Sequence, residues 1–301
     1  MTTNNGLNHR SGFVAVSGRP NVGKSTLVNR MVGMDLCIAS RKAQTTRNRI
    51  AAIHNTPDAQ IVILDAPGIH EAATPLNKAL AAAAMKTLED ADAALLLTTP
   101  SEKVHADDLR IIDLIRQAGR KSVLAINKID LVPPEALLPL MEAFSGLFDF
   151  EAIIPVSALR GEGIDELTAA LVALLPPGPA LYPEDEVTDL PTRFFVAELI
   201  REQVINLTSQ EVPYKTAVVV ETFKERDNGI LIQADIHTER QSQKKIVVGK
   251  NGEMIKRIGI AARQKIEAFL NARVHLELFV KTTPKWTRDP KMLKEFGYLH
   301  E

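Results

Sequence analysis

The chain has 301 residues, with 36 Lys and Arg against 37 Asp and Glu and 45% hydrophobic side chains. That length suits about two domains, and the composition is that of a globular protein in water. No apolar stretch reaches the roughly 20 residues of a membrane span, and the single cysteine, Cys37, excludes an internal disulfide and fits a reducing compartment. The near-neutral total hides a split. Residues 1–189 carry 17 Lys/Arg and 23 Asp/Glu, whereas residues 190–301 carry 19 and 14, as expected if the second half meets an acidic partner.

Residues 1–11 are polar, lack the apolar core of a signal peptide and are expected to be a flexible N-terminus of a cytoplasmic protein. Gly12-Phe13-Val14-Ala15-Val16 reads as a buried strand. It runs into Gly18-Arg19-Pro20-Asn21-Val22-Gly23-Lys24-Ser25, and a helical segment, Thr26 to Val32, ends at Gly33. Strand, glycine loop and helix are the context of a phosphate-binding loop. Backbone N–H groups from Gly18 to Thr26, those of Asn21, Val22 and Gly23 included, are expected to face phosphate, aided by the helix dipole. Lys24 should reach the β- and γ-phosphates, and Ser25 should ligate Mg²⁺.

The polar stretch Ser40–Arg47 should move, with a threonine closing over Mg²⁺ when the γ-phosphate is present. Of Thr45 and Thr46, Thr46 is favoured. Ile61–Leu64 reads as the next strand and is followed by Asp65-Ala66-Pro67-Gly68. Asp65 can hold Mg²⁺ through a water, and the Gly68 N–H can reach the γ-phosphate. Further strands are expected at 93–97, 123–126 and 153–156, with helices near 78–89, 106–117, 135–147 and 164–174. Alternating strands and helices imply an α/β unit with a mostly parallel, doubly wound sheet, whose ligand lies at the strands' carboxyl ends.

Asn127-Lys128-Ile129-Asp130 follows the 123–126 strand. The Asp130 carboxylate can accept from guanine N1 and N2, the Asn127 amide can reach N7 and O6, and the Lys128 stem can cover the ring. Ser157-Ala158, after the next strand, can present an N–H to O6. Adenine lacks the N2 amine, so such a site excludes it by roughly 10⁴-fold or more.

Pro176-Pro177-Gly178-Pro179 and the acidic run Glu184-Asp185-Glu186 end the alternation. The expected division is therefore 12–175, a linker over 176–191, and a second domain over 192–301. That domain reads as a helix (193–207), two strands (215–223, 229–237), two helices flanking Gly249–Gly252 and a strand (274–281). From Lys244 to Lys265 it carries seven basic residues and one acidic. The order α-β-β-α-α-β and the segment Ile246–Ile258 resemble a type II KH domain, an α+β module. The resemblance implies that Gly249, Lys250, Asn251 and Gly252 clamp single-stranded backbone. Lys256 and Arg257 would add charge, and Ile246, Val247 and Ile255 would line the groove. Trp286, Phe194 and Phe195 are expected to pack rather than stack on bases.

Together the phosphate loop, Gln44-Thr45-Thr46-Arg47, Asp65–Gly68, Asn127–Asp130 and Ser157-Ala158 resemble the Era branch of the translation-factor-related GTPases, over essentially the whole chain from Gly12. Ala66 departs from the threonine frequent there, at a position between the two functional residues. The resemblance implies slow GTP hydrolysis by Mg²⁺-dependent water attack, with Lys24, Thr46, Gly68 and Asn21 as the catalytic set. The residue after Gly68 is Ile69, which cannot orient water as a glutamine does. His70 is expected to be a bystander, and no arginine is clearly placed as a finger, with Arg47 left open. In relatives with an apolar residue at the Ile69 position, the asparagine matching Asn21 helps hold K⁺. The resemblance further implies a monomer that binds the 3′ end of 16S rRNA, acts in 30S subunit maturation and associates peripherally with the inner membrane. The rival reading is a peripheral signalling GTPase whose basic domain meets anionic lipid.

Overall fold

The computed structural model describes residues 9–38, 50–65, 75–208 and 211–298, with backbone alone for 75–79. The chain divides into two compact units, with the main boundary at Asp189/Leu190 and the first residues of one helix, 75–79, grouped with the second unit.

The first unit holds strands β1 (Arg10–Gly18), β2 (Ile50–Thr56), β3 (Ala59–Asp65), β4 (Ala93–Thr98), β5 (Lys121–Asn127) and β6 (Ala152–Val156). Helices α1 (Lys24–Val32), α2 (Pro75–Asp90), α3 (Ala106–Ala118), α4 (Leu138–Ser145) and α5 (Ile164–Leu174) connect them. The sheet order is β2-β3-β1-β4-β5-β6, parallel throughout except for β2, which is antiparallel to β3. Every residue of β3 and β4 is buried, as it must be in strands covered on both faces. Leu64, Leu96, Ile112, Leu124 and Phe144 lie at the centre of that core.

Two elements of this unit differ from the expectation. β2 was not expected, because Ile50-Ala51-Ala52-Ile53 carries little β-branched signal; the Pro57-Asp58 turn into β3 supplies its register. The single helix expected over 135–147 is a short 3₁₀ turn at Pro134–Ala136 followed by α4. Pro139 lies in the first turn of α4, where a missing N–H costs nothing.

The segment expected as a linker is fastened to the first unit along most of its length. The Ser11 N–H donates to the Pro176 carbonyl (3.2 Å), and the Ser11 hydroxyl donates to that of Pro179 (2.6 Å). Gln60 on β3 is fully buried. Its Oε1 accepts the N–H groups of Leu181 (2.7 Å) and Tyr182 (2.9 Å), and its Nε2 donates to the Tyr182 carbonyl (2.9 Å). The Ile53 N–H donates to the Val187 carbonyl (2.9 Å), on the edge of β2. The acidic run therefore lies in a strap, not in a free spacer.

The second unit comprises α6 (Thr192–Leu207), β7 (Thr216–Arg226), β8 (Gly229–Thr238), α7 (Gln241–Val248), α8 (Glu253–Leu270), β9 (Val274–Thr282) and α9 (Pro290–Glu295). β8 is antiparallel to β7 and parallel to β9. The helices cover one face of this sheet, where Val196, Ile200, Ile232, Ile236, Ile258 and Ile266 form the core. The α/β unit is thus followed by the α+β unit in the anticipated order, with α9 added. Trp286 is buried, donates from Nε1 to the Lys215 carbonyl (3.1 Å) and stacks on Tyr298, and Phe195 packs against Phe269. Among the described residues, no helix is long and apolar enough to cross a membrane.

Candidate nucleotide site and nucleic-acid interface

The motif loops of the first unit follow the carboxyl ends of β1, β5 and β6, and Asp65 closes β3. These strands are neighbours or near neighbours in one parallel sheet, so their ends converge. The phosphate loop leaves β1 at Gly18 and enters α1 at Lys24, with Ser25 and Thr26 half-buried in its first turn. Asn21 is exposed at φ 65°, and Val22 is buried. Gly23 has φ 103°, and a Cβ there would lie 2.3 Å from the Asn127 Nδ2, so the loop and the β5 motif are in direct contact.

The Lys24 ammonium curls over the loop and donates to the carbonyls of Gly18 (2.8 Å) and Arg19 (3.1 Å). Burial pushes its pKa below the usual lysine range, and the charge of Asp65 partly restores it. Asp65 itself is fully buried. A lysine held in place inside its loop is ready to meet an anion without first shedding a disordered water shell.

Asn127 is buried and bridges two loops: its Nδ2 donates to the Val22 carbonyl (2.8 Å), and its Oδ1 accepts from the Ala158 N–H (2.9 Å). Lys128, at φ 68°, reaches back to the Asn21 carbonyl (2.5 Å). Asp130 accepts the Ser157 hydroxyl at 2.7 Å. The structure therefore brings together Gly18, Asn21, Val22, Gly23, Lys24, Ser25, Thr26, Asp65, Asn127, Lys128, Asp130, Ser157 and Ala158. Thr45, Thr46, Arg47, Ala66, Gly68, Ile69 and His70 lie outside the described residues.

A support behind the loop was not anticipated. Arg19 Nε donates to both carboxylate oxygens of Asp108 on α3 (3.0 and 2.9 Å), and its Nη2 reaches the hydroxyls of Thr98 and Thr99 (3.2 Å each). Thr98 donates to the same carboxylate at 2.8 Å. Asp108 is fully buried; burial raises its pKa, against the opposing pull of Thr98 and Arg19. Nothing local in the sequence pairs Arg19 with a residue so far along the chain.

In the second unit, α7 ends at Gly249 (φ 75°, ψ 176°), and Gly252 (φ 78°) opens α8. A Cβ on Gly249 would lie 2.6 Å from the Met254 Cβ and 2.8 Å from its N, so glycine is obligatory for the close turn. Lys250, Asn251, Lys256 and Arg257 are exposed on and after this turn. A groove of about 300 Å³ runs between α8 and β9, lined by Ile255, Ile260, Leu276 and Leu278 with Lys256 and Arg263 at its margin. Val247 does not line it. Its side chain is fully buried beside Ile258 and Ala262, because it shares with Gln243, one turn earlier, the face of α7 that points inward. Ile246 is 40% exposed, and Arg263 was not anticipated.

Residues 13–128 match the family described as 50S ribosome-binding GTPase, and residues 211–287 match the KH domain. The chain is 50% identical to the GTPase Era of Geotalea uraniireducens over 290 residues, 96% of this chain and 98% of that one. It is 47% identical to GTPase Era of Lacticaseibacillus paracasei, over 96% and 97% of the two chains. Among solved structures it is similar to Era in complex with MgGDPNP and nucleotides 1506–1542 of 16S ribosomal RNA (TM-score 0.94, 39% identity, 97% and 100% of the two chains covered). An Aquifex aeolicus Era variant bound to GDP·AlF4⁻ gives a TM-score of 0.93 at the same identity and coverage. With both domain matches in place and half of all residues shared across nearly the full length, this chain is a GTP hydrolase and belongs to the Era family.

Proposed function

We propose that GTP binding and hydrolysis in the first unit govern the grip of the KH unit on single-stranded RNA, with the 3′ end of 16S rRNA as the ligand and 30S subunit biogenesis as the setting. The observation that carries this reading is the pairing of a bracketed guanine site, Asn127 tied to Val22 and Ala158 with Asp130 tied to Ser157, with a Gly249–Gly252 turn that exposes Lys250, Lys256 and Arg257 beside an apolar groove. The similarity to an Era bound to MgGDPNP and 16S nucleotides supports both ligands.

In this reading the N–H groups between Gly18 and Thr26 cradle the phosphates, and Lys24 moves from its carbonyl partners to the β- and γ-oxygens. Ser25, Thr46 and Asp65 would hold Mg²⁺. These are hard oxygen donors, and among the described residues no group of three or more His, Cys, Asp or Glu offers a different metal site. When bound, Mg²⁺ neutralises charge on the β- and γ-phosphates. The Gly68 N–H would meet the γ-phosphate, and Ile69, which follows it in the sequence, cannot orient water. Asn21 is exposed in the loop, and its side-chain oxygen would be the group that meets K⁺. Turnover should therefore be slow, roughly 10⁻⁴ to 10⁻² s⁻¹, and faster in K⁺ than in Na⁺ at matched ionic strength. Equal rates in the two salts would remove Asn21 from the catalytic set.

The protein would act as a cytoplasmic monomer. Membrane contact through α8 has little to recommend it, because Ile258, Ala262 and Ile266, its apolar stripe, are buried in the core. The deciding experiment measures affinity for a 3′-terminal 16S oligonucleotide with a GTP analogue, with GDP and without nucleotide. The expected result is tighter binding in one nucleotide state, with log K falling against log salt at about −0.7 per phosphate contacted. Equal affinities in all three would end the switch while leaving both sites intact.

A further inference from the structure

Arg30, near the end of α1, belongs to none of the nucleotide motifs. Its guanidinium nevertheless reaches the loop after β6: Nε donates to the Ala158 carbonyl at 3.0 Å, and Nη2 donates to the carbonyl of Leu159. A trans peptide points its C=O and N–H in opposite directions. With the Leu159 carbonyl turned to Arg30, the Arg160 N–H faces the other way, and it donates to the Ser157 hydroxyl at 3.2 Å. That hydroxyl in turn donates to Asp130 at 2.7 Å. The Ala158 N–H is held by Asn127, and Asn127 by the Val22 carbonyl just before α1. A ring of hydrogen bonds thus runs from α1 through Arg30, the 157–160 loop and Asn127 back to the phosphate loop.

We propose that Arg30 is a positioning residue for guanine recognition: by clamping two successive carbonyls of the 157–160 loop, it turns the Arg160 N–H towards the Ser157 hydroxyl and, through Ser157, aims the Asp130 carboxylate. The inference rests on the guanine-site reading above and deepens it. A single charge-assisted bond is worth enough to move an affinity roughly tenfold or more, and here two such bonds hold the loop that aims Asp130 at the base, not at the phosphates.

The test is displacement of a fluorescent GDP from the full chain by GDP and by ADP, for wild type, Arg30→Met and Arg30→Lys. Arg30 is exposed, so both variants should fold, which the melting temperature of the unliganded protein checks. In Arg30→Met, GDP affinity should fall roughly tenfold with ADP unchanged, so the discrimination between them shrinks. Arg30→Lys, which keeps the charge but has a single donor nitrogen in place of two, should fall between. Equal losses for GDP and ADP would place the effect in the phosphate cradle and overturn the proposal, as would an unchanged ratio. A wild type that fails to prefer GDP would instead overturn the guanine-site reading itself.

Discussion

Replacing Asp130 by asparagine is expected to weaken GTP binding by roughly 10²- to 10⁴-fold, because two charge-assisted hydrogen bonds of about 1.5–3 kcal/mol each are lost. The same change should make xanthosine triphosphate the preferred ligand. The asparagine carbonyl can still accept the Ser157 hydroxyl, which stands 2.7 Å from the carboxylate, so the loop after β6 should keep its shape. The amide NH₂ would then face two donors, guanine N1–H and N2–H, where it needs acceptors. Xanthine carries a carbonyl at C2 and supplies one. The measurement is competition of both triphosphates against a fluorescent guanine nucleotide, and a retained preference for GTP would sink the assignment of Asp130 as the base reader. Asn127 would be a poor probe of the same question. It is buried and its amide holds both the Val22 carbonyl and the Ala158 N–H, so its loss would loosen two loops at once.

That contrast marks what was legible in the sequence. Asp130, Lys24 and Gly23 stand in short motifs at the ends of strongly apolar runs, and both the motif and its strand can be read locally. The strands that form the middle of the sheet, β3, β4 and β5, announce themselves because burial on both faces demands continuous apolar sequence. β2 does not. It is an edge strand whose first half is Ile50-Ala51-Ala52-Ile53, with little alternation to mark it, and the short Pro57-Asp58 turn pairs it with β3. Arg19 and Arg30 were equally hidden, since their partners Asp108 and Ala158 are 89 and 128 positions away and a lone arginine on a helix or loop has no periodicity to betray it. Val247 shows the opposite error. Its place beside the glycine turn suggested the groove, but the phase of α7 carries it inward with Gln243. The strap over 176–188 was masked by its prolines and acidic side chains, which read as a spacer. It is Gln60, a buried amide with four hydrogen bonds, that fastens it.

The Gly252→Asp variant should lose RNA affinity by about tenfold to a hundredfold, the worth of one charge-assisted phosphate contact plus the repulsion of a new negative charge, while binding GTP normally. The two glycines of the turn differ in what a side chain would meet. At Gly249 a Cβ collides with Met254 at 2.6 Å, so substitution there would distort the turn, and a loss of RNA binding would say nothing about contacts. At Gly252 the nearest atom to an added Cβ is the Ile255 Cγ2 at 4.0 Å. The remaining obstacle is the left-handed backbone at φ 78°, which Asp tolerates better than most residues, at a cost of about 1–2 kcal/mol. Part of that cost is offset because Gly252 precedes α8, where a carboxylate interacts well with the helix dipole. The same carboxylate would occupy the place where phosphate is expected to meet the first N–H groups of α8. An unchanged melting temperature with RNA affinity retained would show that the Gly249–Gly252 turn does not hold the backbone. Affinity lost for RNA and GTP alike would point to misfolding. Only a selective loss, accompanied by a shallower salt dependence because fewer phosphates are neutralised, fits a clamp.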